Sequence, residues 1–169
     1  VASAARVRDQ ELQAPMDQHW SGCLLLELGC RTAAEPLLLD AALAGVTDAR
    51  HRLARLYALV GDLAAARRWL QAAPRTPPAL LSEGYVLWKE RRFTDAVAAF
   101  EGALQAGLTG AEGQGAGLSL GRALHGARRD ERADQVLEAL AAEATGSVFE
   151  AAAVHALAHV RGGVGQHAD

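Results

Sequence analysis

His155 and His159 stand four residues apart in "HALAH". On a helix that is one turn, the spacing of two metal ligands. No Glu lies between them where a zinc protease needs one, and a third ligand has to come from elsewhere. Nearby in the sequence only His167 offers one. The pair reads as two boundary-face histidines on the last helix. Gly113, Gly115, Gly117 and Gly121, in "GAEGQGAGLSLG", suggest a phosphate loop only superficially. The segment follows a helix rather than a strand and lacks the Lys-Ser/Thr of a P-loop. It reads as a loosened linker and a weak helix, mobile around 107–117, because each helical glycine costs about 1 kcal/mol against alanine. Cys23 and Cys30 lie seven apart, roughly 10 Å along a helix. That is too far for a disulfide, and both read as small buried residues of a reducing compartment. Ser3, Ser21, Ser82, Ser119 and Ser147 have no nucleophile motif around them. No catalytic residue, metal or cofactor is expected.

The elements that position these residues are helices. Half of the 169 residues are hydrophobic but only 5% are aromatic, so the apolar mass is Ala and Leu. Both are strong helix formers, and an all-α domain with a real core is expected. A net charge of −3 offers no basic surface for nucleic acid. The longest apolar runs, "CLLLEL" and "PLLLDAALAG", are too short and too charged to cross a bilayer. The start "VASAARVRDQEL" has no apolar stretch of the signal-peptide kind. A cytoplasmic protein without membrane or nucleic-acid partners is expected. The Ala-, Gly- and Arg-rich composition suits a GC-rich bacterial genome.

A template recurs along the chain: small residue, large residue three on, Ala twelve on, large residue sixteen on. Its four instances are Gly22, Leu25, Ala34, Leu38; Ala54, Tyr57, Ala66, Leu70; Gly84, Leu87, Ala96, Phe100; and Gly121, Leu124, Ala133, Leu137. Residues three or four apart share one helix face. Each instance therefore describes two helices joined by a turn, with the small residues letting the backbones approach. Gly29 and Gly61 sit where the turn favours a left-handed backbone. Thr32 and Thr94 are placed to cap the second helix of their pairs, Thr32 with Glu35 as a capping box. Pro36 falls in a first turn, where it is tolerated. Ser147 with Glu150 begins another helix, in which Phe149, Ala153, Ala156, Leu157 and Val160 share a face.

This pattern resembles the tetratricopeptide repeat, a helix-turn-helix unit of about 34 residues. Leu53, Leu63, Phe93 and Leu120, with small Ala41, Ala73 and Ala103, add to the likeness, which spans about residues 16 to 142. The resemblance implies a right-handed α-solenoid of about four repeats: 16–46, 47–76, 77–107 and 114–146. A capping helix follows at 147–161 and a frayed tail at 162–169. Residues 1–15 form an extension, helical over 2–13 and stopped before Pro15. The uneven spacing of the instances also fits generic α-solenoid hairpins.

In that family the first helix of each repeat lines a concave groove. The matching positions imply groove residues His19, His51, Arg55, Tyr85, Trp88, Lys89, Arg122 and His125. Phe93, Ala96 and Phe100 fall instead in the packing between helices. The function implied is a non-enzymatic interaction module whose groove takes a peptide or partner helix. Trp88 and Tyr85 would hold an apolar anchor, and Arg55 and Arg122 an acidic one. The contrary reading, that Tyr85 and Trp88 only pack between helices, stays open. So do a sensor domain of a larger bacterial regulator and a homo-oligomerisation module. His19 and Cys23 stand where chaperone-tail-binding relatives have Lys and Asn, so that specialised clamp is absent.

Overall fold

The structure is a computed structural model. It describes residues 2–27, 29–71 and 75–165, with side chains over 14–26, 29–71 and 75–162. The fold is all-α: nine helices and no strand among the described residues. They are α1 (Ala2–Glu27), α2 (Arg31–Leu43), α3 (Thr47–Val60), α4 (Leu63–Gln71), α5 (Pro77–Lys89), α6 (Phe93–Gln105), α7 (Gly110–Gly126), α8 (Asp130–Glu143) and α9 (Val148–Gly165). They form two compact units, Val1–Arg75 and Thr76–Asp169.

In the first unit α2 packs on α1, and α3 on α2 and α4. Leu38, Ala41, Ala49 and Leu53 are fully buried at its centre, flanked by Met16, Leu39, Tyr57 and Trp69. In the second unit each helix packs on the next, and α7 also touches α5 and α9. Phe100, Leu124, Leu137 and Val86 are the largest fully buried side chains there.

The template explains this packing residue by residue. Ala34, Ala66, Ala96 and Ala133, all twelve past the anchor, have no exposed surface. A Cβ on Gly22 would lie 2.8 Å from Leu38 Cγ, one on Gly84 2.5 Å from Phe100 Cε1, and one on Gly121 2.5 Å from Leu137 Cγ. In each case the glycine meets the large residue sixteen further on, because only a bare backbone lets the second helix come that close.

The turns repeat as well. Seven residues past each anchor the backbone is left-handed: Gly29 (φ 77°), Gly61 (φ 92°), Arg91 (φ 62°) and Arg128 (φ 60°). In three of the turns the next N–H reaches five residues back. Cys30 donates to the Leu25 carbonyl at 2.8 Å, Arg92 to Leu87 at 3.0 Å and Arg129 to Leu124 at 2.9 Å. That is a Schellman ending, and it overturns the capping expected of Thr32 and Thr94. Helices α2 and α6 begin directly behind Cys30 and Arg92, with no side-chain cap, so each threonine is already the second helical residue. The side-chain caps lie elsewhere. Asp62 accepts from Ala65 N–H at 2.9 Å, and Thr76 from Ala79 N–H at 3.3 Å. At α9 Ser147 Oγ accepts from Phe149 N–H at 3.1 Å, while Glu150 reaches back to Gly146 N–H at 2.6 Å.

Other expectations are corrected. Helix α1 does not stop before Pro15 but runs through it. A proline removes one intrahelical bond, and the turns on either side carry the helix across. The glycine-rich segment is helical, as expected in part: α7 starts at Gly110, and only 106–109 link it to α6. Of its glycines, Gly113 serves close approach, since a Cβ there would meet the Leu108 carbonyl oxygen at 2.7 Å. Cys23 is buried, but Cys30 is exposed in its turn. Helix α9 buries Ala153, Ala156, Leu157 and Val160 and extends to Gly165. Ala73, His167 and the last four residues lie outside the described residues.

Candidate functional site

The residues expected to line one groove divide between the two units. In the first, His19 and His51 are only 2% and 3% exposed. They belong to the interior between α1 and α3 rather than to an open surface. The His19 ring packs on Trp20 at 5.3 Å and lies 3.7 Å from Cys23 Sγ. Burial pushes its pKa below the ordinary 6.5, Asp48 pulls it up and Arg52 pushes it down. His51 Nε2 is 3.2 Å from Asp48 Oδ1. Arg55 is half-buried and engaged within the structure.

In the second unit Tyr85 is tied inward. Its ring meets Phe100 edge-on at 5.6 Å. Ser119 Oγ lies 3.0 Å from the Tyr85 hydroxyl and 2.8 Å from the Gly115 carbonyl oxygen. A carbonyl only accepts, so Ser119 spends its one proton there and the tyrosine hydroxyl donates to the serine. Tyr85 thus joins α5, α6 and α7 as packing, the role left open above.

Trp88, Arg122 and His125 come together. They share a cavity of about 310 Å³ with Phe93, Ala156 and Val160 as further apolar wall and His155 and His159 from α9. Gly126 lets Phe93 reach α7, since a Cβ there would sit 2.6 Å from Phe93 Cδ1. Lys89 Nζ stands over the Trp88 ring at 5.5 Å, within cation–π range. His125 Nδ1 lies 2.6 Å from Asp130 Oδ1, and its ring meets that of His159 edge-on at 5.3 Å. The lining combines these apolar side chains with an arginine and three histidines. No carboxylate lines it.

Phe93 was expected only in the packing, and His155 and His159 only on the outer boundary of the last helix. They reach the cavity because α9 packs on α7 as well as on α8. The spacing of the two histidines was visible in the sequence; the neighbouring helix they would meet was not. A larger, more open depression of about 960 Å³ lies along α8 and Arg161. In it Arg161 donates to both oxygens of Asp134, at 2.6 and 2.8 Å, and beside it to Glu138. Among the described residues, no helix is long and apolar enough to cross a membrane. Compared with protein-family models, curated proteins and solved structures, the chain matches none.

Proposed function

We propose that this chain is a non-enzymatic protein-interaction module of tetratricopeptide-like helical repeats. Its cavity between Trp88 and Arg122 takes a peptide segment carrying an apolar anchor next to an acidic group. Four helical pairs with a left-handed residue at the same place in the turn, three of them with the same glycine-against-large contact, support the repeat reading. The observation that carries the binding reading is the cavity itself, an apolar lining of Trp88, Phe93, Ala156 and Val160 that also includes Arg122. Its volume suits one large side chain, whose burial is worth about 1.5–3 kcal/mol. Arg122 is exposed, so a carboxylate paired with it adds about 0.2–1 kcal/mol. The apolar contribution alone is about tenfold or more in affinity.

The test is selection from a displayed library of random 12-residue peptides, run on wild type and on a Trp88→Ala, Arg122→Ala double variant of unchanged melting temperature. The expected winners pair an aromatic or aliphatic residue with a nearby Asp or Glu and lose at least about tenfold on the double variant. Selected peptides that bind both proteins alike would refute the proposal, as would a library that yields no winners.

A further inference from the structure

The cavity beside Trp88 is lined by titratable rings. His155 and His159 reach it from α9, and both are exposed. His125 reaches it from α7, its ring centre 5.3 Å from that of His159. Arg122 adds a permanent positive charge, and no carboxylate is among the described lining residues. Such a lining opposes a cation and favours an anion. Imidazole is the side chain that gains its charge as pH falls through about 6.5. We propose that protonation of His155 and His159 tightens the hold of this cavity on the acidic group of its ligand. The inference rests on the peptide-binding reading and adds a regulation by pH to that same site.

The neighbouring charges decide which rings carry the effect. On α8, Asp130 Oδ1 lies 2.6 Å from His125 Nδ1. A carboxylate only accepts, so His125 donates to it, and Asp130 balances any charge that this ring gains. Asp134 and Glu138, further along α8, accept from Arg161 of α9. From the α5 side Lys89 Nζ stands 5.5 Å from the Trp88 ring and the Arg91 guanidinium 5.7 Å from the Phe93 ring. Positive charge therefore adjoins both aromatic residues of the lining. A protonated His159 meets the His125 ring and Arg122, and like charges oppose one another. A bound carboxylate offsets that repulsion, so proton and ligand favour each other reciprocally. The sign follows. Between about pH 8 and pH 5.5 imidazoles charge while Asp and Glu side chains of a ligand stay ionised, so affinity rises with acid. Two exposed ion pairs of ordinary strength make the gain about twofold to thirtyfold.

The test uses two probes that share an aromatic anchor and differ by one negative charge, N-acetylphenylalanine and its amide. Each is titrated into the full tag-free chain at about pH 8 and about pH 5.5, and binding is followed by NMR at the indole N–H of Trp88. The acid binds about twofold to thirtyfold more tightly at the lower pH, and the affinity of the amide does not change. A His155→Asn, His159→Asn double variant binds the acid as wild type does at the higher pH and loses the gain at the lower. Arg122→Ala weakens the acid at both pH values and keeps the gain. Any loss of folded protein in acid weakens both probes alike and so is told apart. An acid affinity that is constant with pH, or a gain that persists in the double histidine variant, overturns the inference and leaves the binding reading standing. If neither probe moves the Trp88 signal at either pH, the inference and the binding reading fall together.

Discussion

Gly84 and Phe100 touch as backbone against ring: a Cβ on Gly84 would lie 2.5 Å from Phe100 Cε1, and Phe100 has no exposed surface. The ring has nowhere to go, so a single methyl group has to move a helix. Overpacking of this kind costs about 1–3 kcal/mol, against the gain of about 1 kcal/mol from replacing a helical glycine by alanine. Gly84→Ala is therefore expected to destabilise the chain, and Gly121→Ala, which meets Leu137 in the same way, to do likewise. Gly162 in α9 has nothing within 4 Å of its would-be Cβ. Gly162→Ala should raise stability by up to about 1 kcal/mol. Urea unfolding of the three variants checks the opposite signs.

Arg91 and Arg128 hold a left-handed backbone that costs an L-residue about 1–2 kcal/mol. Gly29 and Gly61 take the same conformation without that cost. Arg91→Gly and Arg128→Gly are expected to stabilise by up to about 1 kcal/mol each, and Gly61→Ala to destabilise by a similar amount. Chemical denaturation of the single variants would show the reversal.

The caps divide the threonines. Thr76→Ala removes the hydroxyl that accepts from Ala79 N–H and should cost about 0.5–2 kcal/mol. Thr32→Ala and Thr94→Ala remove no cap and should leave the melting temperature nearly unchanged. Equal losses at all three positions would contradict the assignment of helix starts.

His19 makes the stability of the chain depend on pH. Burial holds its folded pKa below 6.5, so folding favours the neutral ring. Its contribution is fully present above 6.5 and is lost as pH falls toward the depressed folded value, where the unfolded chain binds more protons. Melting temperature should decline with acidification from about pH 6.5, and His19→Gln should flatten that part of the profile. An unchanged slope in the variant would place the acid sensitivity elsewhere.

The helical class and the succession of helices and turns were legible in the chain because they are local. Ala twelve past the anchor and Leu or Phe sixteen past it lie one turn apart on the same helix, and periodicity reports such neighbours directly. Helix starts were legible only in part. A threonine before an apolar run looks like a cap, yet the bond from Cys30 to Leu25 closes α1, and the Cys30 carbonyl already accepts from Ala34 N–H to begin α2. Which side chains meet across the second unit was decided by tertiary packing alone. No spacing rule links His125 to His159, or Tyr85 to Ser119. Those contacts exist because α9 and α5 both lie against α7. Periodicity says which face of a helix is buried, and only the packed structure says what covers it.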